Sequence, residues 1–353
     1  MKSKISIKKV ICLIAVIALA MTAFAGCGGS SKPASSGSEN TSSSNSGSNS
    51  SGSSSSSTGK TYNIGINQQL EHVALDQATK GFKDALTELL GDRVKFDVKN
   101  AQGEQANCAT IASGFVAQNV DLILANATGA LQATSAATNQ IPIVGTSITD
   151  YATALDISNW NGKTGTNVTG TSDLAPLKDQ AAMIKELLPN VKKVGLLYCS
   201  AEPNSMYQIK SIKGYLTDLG IASEEYAAAD SNEIQSVVSN AISSCDAIYI
   251  PTDNTMASAT ETINNVTLPA KIPVIAGEEG IARGCGLATL SISYYDIGKA
   301  AGKMAYEILE NGKKPGDMEI QYAEFVQKLY NADIAKELGI TVPSDYKALE
   351  ESK

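Results

Sequence analysis

The chain has 353 residues, 28 of them basic and 36 acidic, a net charge of −8, and a single histidine. No basic patch stands out, which argues against nucleic acid as a partner, and one histidine without metal-ligand spacing argues against a histidine-based metal centre or catalytic triad. No GxSxG elbow, phosphate loop or nucleophile–base pair occurs, so the sequence reads as no enzyme and calls for no cofactor.

Residues 1–27 read as an export leader. Lys2, Lys4, Lys8 and Lys9 form a basic start, residues 10–20 are apolar but short for a membrane span, and Phe24-Ala25-Gly26-Cys27 follows. Small residues just before a cysteine resemble the lipobox of bacterial lipoproteins, which implies lipidation of Cys27; Phe24 departs from the usual leucine. Residues 28–60 hold 17 serines among 33 positions. Such a stretch buries too little to offset its ordering entropy and is expected to be a disordered tether, with a reach of roughly 30 Å. The expected location is the outer face of the bacterial cytoplasmic membrane, held there by lipid alone. From residue 61 onward 22 basic and 35 acidic residues remain, a net charge of −13. Four cysteines remain there without a CxxC pair, and apolar surroundings at Cys199 and Cys245 favour free thiols.

Residues 62–68 read as a strand with a polar end. Leu75, Ala78, Phe82, Ala85 and Leu89 keep helical spacing, and Gly91 stops the helix. Residues 94–98 predict a strand, 106–118 a helix, 120–128 a strand and 130–138 a helix. Ile141-Pro-Ile-Val-Gly145 then leads into a polar end at 146–150. This alternation predicts βαβ units and a parallel sheet. The pattern restarts at residues 192–198, with helices over 205–219 and 233–244. Residues 246–254 form an apolar strand that stops at Pro251 and releases Thr252, Asp253 and Asn254. Ile272-Pro-Val-Ile-Ala276 repeats the earlier Ile-Pro strand. Gly195 aligns with Gly65, Asp246 with Asp121 and Ile272 with Ile141, at offsets of 130, 125 and 131 residues, so the lobe is read as duplicated.

The expected fold is α/β: two Rossmann-like lobes with parallel sheets, joined by a three-crossing hinge. Residues 61–172 plus 287–318 are assigned to lobe 1, and 173–286 plus 319–346 to lobe 2. A strand at 287–292 and a helix at 294–311 are read as the return to the first lobe. Several crossings make a hinge that lets lobes close on a ligand.

A set of short motifs resembles the TrpX-type ABC-transporter substrate-binding proteins, of type I periplasmic-binding-protein topology. They are Ile64-Gly-Ile-Asn-Gln68, Glu71-His72, Ala74-Leu-Asp76, Asn100-Ala-Gln-Gly103, Asp121-Leu-Ile-Leu124, Ala127-Thr128, Asn167-Val-Thr-Gly170, Ser172-Asp173-Leu174, Glu186-Leu-Leu-Pro189, Glu202-Pro-Asn-Ser205, Pro251-Thr-Asp-Asn254, Glu279-Gly280 and Tyr294-Tyr295. The resemblance covers essentially residues 62–343. It implies capture of a small amino acid, most often aromatic, and delivery to an ABC permease and its ATPase. Gln69, Val73, Gly129 and Tyr151 depart from the family pattern, and all four flank the expected cleft.

The ligand-binding candidates are Asn67, Gln68, Glu71, Thr128, Ser147, Asp173, Asn204, Ser205, Thr252, Asp253, Asn254 and Glu278. A ligand carboxylate suits the helix that opens at Thr128, with Ser147 and Ser205 as further hydroxyls, although Thr128 and Ser205 also read as helix caps. Asp253, then Asp173, are the expected partners of the ammonium, and each also reads as a cap. His72 is expected on the cleft rim, either touching ligand or opening a helix. A sugar or nucleoside ligand, or a sensing role toward a membrane receptor, stays open as the alternative.

Overall fold

The computed structural model describes residues 59–349; the leader with Cys27, tether residues 28–58 and the last four residues lie outside the described residues. The first lobe runs β1 (Tyr62–Gln68), α1 (Val73–Leu90), β2 (Val94–Asn100), α2 (Gln105–Gln118), β3 (Leu122–Asn126), α3 (Thr128–Ala137), β4 (Ile143–Ile148), α4 (Tyr151–Ala154) and β5 (Val168–Ser172). The second runs α5 (Leu177–Leu187), β6 (Lys193–Cys199), α6 (Pro203–Asp218), β7 (Ala222–Ala228), α7 (Ile234–Ile242), β8 (Ala247–Ile250), α8 (Asn254–Ala257), α9 (Thr260–Thr267), β9 (Val274–Ala276), α10 (Glu279–Gly284) and β10 (Ala288–Ser291). Helix α11 (Tyr294–Leu309) follows, and β11 (Gln327–Tyr330), α12 (Ala332–Leu338) and β12 (Lys347–Ala348) complete the described chain.

The two sheets repeat one strand order. The first is β2-β1-β3-β4-β5, and the second contains β7-β6-β8-β9-β10, extended by β11 and β12. Both are the doubly wound arrangement whose switch point lies between the first and third strands, β1 and β3 or β6 and β8. Central strands β3 and β8 are buried at every position, as a sheet covered by helices on both faces requires. The repeated aspartates share one structural task. Asp121 accepts the backbone N–H of Asn63 at 2.8 Å, and Asp246 accepts those of Lys192 and Lys193 at 2.8 and 2.9 Å, so each ties the start of the neighbouring strand in register.

One assignment is corrected. The strand at 287–292 does not return to the first lobe: β10 pairs in parallel with β9 and antiparallel with β11, as the fifth strand of the duplicated unit. The return comes with α11, which lies against α1 so closely that a Cβ on Gly298 would stand 2.1 Å from the Ala78 carbonyl oxygen. The first lobe also reaches further than 318. Ile320 joins its core, and Gln321 bridges to Thr171, with its N–H donating to Gly170. The chain therefore crosses between lobes three times, after β5, after β10 and between Gln321 and β11. The four described cysteines are buried and free.

Candidate functional site

The strand ends of both lobes converge on a set of buried polar side chains. At the first switch point, Asn67 donates to the Cys108 carbonyl at 3.0 Å and to Thr134 at 3.1 Å, bracing β1 against α2 and α3. Gln68 donates to Leu70 and Asp76 and accepts from Thr79, so it fixes the entry to α1. The Gln68 amide is tied into the scaffold at both ends, whereas Asn67 is tied through Nδ2 and its buried Oδ1 has no partner among the described residues. Glu71 is exposed, beside Lys80 and Lys83 on an outer depression.

Gln69, which was outside the candidate set, reaches further in. Its Oε1 accepts the N–H of Gly129 at 2.8 Å and so occupies one of the backbone donors in the first turn of α3, the end of a helix that favours anions. Gln105 holds the carbonyl of the same glycine at 3.1 Å, and a Cβ there would meet both carboxamide oxygens at 2.6 Å. Thr128 is buried at the start of this helix, and the N-cap residue Ala127 offers no side-chain bond. Ser147 is buried with φ +57°, and its hydroxyl has no partner among the described residues.

At the second switch point the organising group is Glu202, also outside the candidate set. Its Oε1 accepts the N–H and hydroxyl of Thr255 at 2.8 and 2.7 Å. Its Oε2 accepts Asn204 Nδ2 at 3.0 Å, and the backbone and side-chain N–H groups of Asn254 at 3.0 and 2.7 Å. Asn204 additionally donates to the Thr252 carbonyl at 3.0 Å, and the Thr252 N–H is taken by Gln208. Glu202 therefore orders the ends of β6 and β8 as one unit. The only foreshadowing was its place in Glu202-Pro-Asn-Ser205, read for the asparagine and serine.

Asp253 was expected to receive the ligand ammonium. In the structure its Oδ1 accepts the Met256 N–H at 2.8 Å, while Oδ2 accepts the Cys199 N–H and the Ser205 hydroxyl, both at 2.7 Å. Those donors make it the cap of α8 and a brace to β6. Burial and nearby Glu202 push its carboxyl up to about 8, against the pull of the same donors. Glu278 likewise caps α10 through the N–H groups of Gly280 and Ile281, at 2.6 and 2.5 Å, and burial raises it to about 7.

Asp173, at the first crossing, is less committed. It accepts one hydroxyl on each oxygen, from Thr149 and from Tyr294, both at 3.0 Å, which leaves lone pairs on both. Burial holds it up at about 6, opposed by those two hydroxyls, with Glu202 adding to the rise. Asp173, Glu202, Asp253 and Glu278 are all buried, whereas no lysine or arginine is buried among the described residues. Beside the second and third crossings an open groove of about 940 Å³ reaches this cluster at Glu278 and Tyr294 and is also lined by Tyr322 and Phe325.

A family model described as ABC transporter substrate binding protein matches residues 63–351. The chain belongs to the ABC transporter substrate-binding protein family. Family members bind solutes and are not enzymes. The chain is 37% identical to a tyrosine-binding protein of Clostridioides difficile (strain R20291), over 80% of this chain and 82% of that one. It superposes with a TM-score of 0.78 on an ABC domain from Streptococcus pneumoniae in complex with L-Trp, at 37% identity over 81% of this chain and 97% of that one. A ligand-free, open substrate-binding protein with adhesive properties from Clostridium difficile gives a TM-score of 0.64, at 34% identity over 82% and 100%. Among the described residues, no helix is long and apolar enough to cross a membrane.

Proposed function

We propose that this substrate-binding protein is the lipid-anchored, extracytoplasmic receptor of an importer, capturing an aromatic amino acid between its lobes and delivering it to a permease and its ATPase. The observation that carries the amino-acid reading is buried Asp173, which holds one hydroxyl on each oxygen, with no lysine or arginine buried among the described residues. Buried charge is costly without a counter-charge, and an α-ammonium supplies one. Asp173 is its partner, because Asp253, Glu202 and Glu278 already hold backbone donors. The ligand carboxylate goes to the first turn of α3, beside Thr128 and the unpartnered Ser147 hydroxyl. Asn204, Thr252 and Asn254 form the opposite wall through Glu202.

The aromatic preference is supported by the two relatives, one named for tyrosine and one holding tryptophan. Tyr207 of α6 lies near Asp150 of the first lobe and Tyr322 of the third crossing, which offers aromatic surface at the cleft edge. The anchor rests on the leader and Cys27, read from sequence.

Isothermal titration with the twenty amino acids, glucose and adenosine tests the proposal. An aromatic amino acid is expected to bind with Kd of about 1 µM or below, roughly −8 kcal/mol, and glucose and adenosine not at all. Absence of binding by all three aromatic amino acids would sink the reading.

A further inference from the structure

The lone histidine makes a side-chain contact between the lobes. His72 Nε2 stands 3.1 Å from Asn254 Oδ1, linking the start of α1 in the first lobe to the start of α8 in the second. The direction of this bond is fixed by chemistry. Asn254 Nδ2 donates to Glu202 Oε2 at 2.7 Å, and a carboxylate only accepts, so the Asn254 oxygen must face the ring. His72 is therefore the donor, through Nε2–H. Its Nδ1 is buried without a partner among the described residues, which suits a neutral ring whose bare nitrogen demands no acceptor. The side chain gives nothing to its own helix, since His72 is the N-cap of α1 without a cap bond.

We propose that His72 is the latch of lobe closure: it donates across the cleft to Asn254, whose oxygen Glu202 holds in position, and so slows ligand escape. This rests on the reading of the cleft as the ligand site. It assigns His72 to holding the lobes together, not to touching ligand, and makes Glu202 the positioning residue behind the acceptor. An acid sensitivity follows. Burial lowers the affinity of the ring for a proton, while Asn254, Glu202 across the cleft and Asp76 on α1 act in the opposite sense. Opening returns the ring to water and to its usual value near 6.5. The closed state therefore binds fewer protons, and acidification through that range favours opening.

Stopped-flow dissociation of L-tyrosine and L-tryptophan tests the latch. His72→Ala is expected to raise the dissociation rate about tenfold, with little change in association. His72→Gln, which can place an N–H near Nε2, is expected to restore most of the loss. Asn254→Ala on top of His72→Ala should add less than it does alone. Between pH 7.5 and 5.5, wild-type affinity should fall more steeply than that of His72→Gln. A dissociation rate for His72→Ala within twofold of wild type, or additive effects in the double variant, overturns the latch. Should neither amino acid bind wild type, the ligand reading fails separately, and small-angle scattering without ligand decides: a wild type more compact than His72→Ala supports the latch, and identical profiles refute it.

Discussion

Asp173 sits where the first crossing leaves β5, with hydroxyls from Thr149 and Tyr294 on its two oxygens. An ammonium placed beside it stabilises its charged form and so lowers its pKa from the value of about 6 that burial imposes. Ligand binding then releases a proton in that range. Affinity should strengthen as pH rises through about 6 and level off above it, and titration at a series of pH values measures this. Asp173→Asn keeps the shape and removes the charge. It is expected to weaken amino-acid binding tenfold or more, on the order of 1.4 kcal/mol, and to flatten that part of the pH profile. Asp253 has the opposite expectation, since it holds three internal donors. Asp253→Ala should lower unfolding stability by about 2 kcal/mol in urea denaturation, because it strips the cap of α8 and leaves the Cys199 N–H without its acceptor.

At the scale of elements, the ends of β6 and β8 are held by one carboxylate. Removing it in Glu202→Ala leaves the backbone and side-chain donors of Asn254 and Thr255 without their acceptor. The expected cost is about 3 kcal/mol, read as a lower midpoint in chemical denaturation. Apolar strands were the most legible elements. Residues 62–68 and the 247–250 run coincide with β1 and β8; in β8 continuous burial between helix layers demands an uninterrupted apolar run, and in β1 the apolar residues Tyr62, Ile64 and Ile66 alternate with Asn63, Gly65 and Asn67. Strands β5 and β7 were not foreseen. Val168-Thr-Gly-Thr-Ser172 reads as polar, yet it is buried because its hydroxyls find partners, Thr171 on Thr146 and Ser172 on the Thr149 carbonyl. Edge strand β7 carries exposed glutamates and pairs on one side only, so its pattern lacks a hydrophobic signal. Site residues were harder still. Asp253 and Glu202 are both acidic residues after an apolar strand, and only the positions of backbone N–H groups around each show which carboxylate retains capacity for a ligand.

For the whole molecule, duplication explains both the successes and the one misplaced strand. Recognising that the second lobe repeats the first puts five strands in each unit, and β10 is the fifth. Reading the chain as a simple return after β9 cut that unit short. On the proposed reading, closure brings the α3 start and the Glu202-ordered wall together around the buried acids, with His72 and Asn254 in contact between the lobes. The most direct measurement is a crystal structure of the protein with L-tyrosine or L-tryptophan. The ammonium is expected within hydrogen-bond distance of Asp173, the carboxylate against the first turn of α3 beside Thr128 and Ser147, and His72 on Asn254. A ligand bound outside the cleft, or one turned so that its carboxylate faces Asp173, would contradict this.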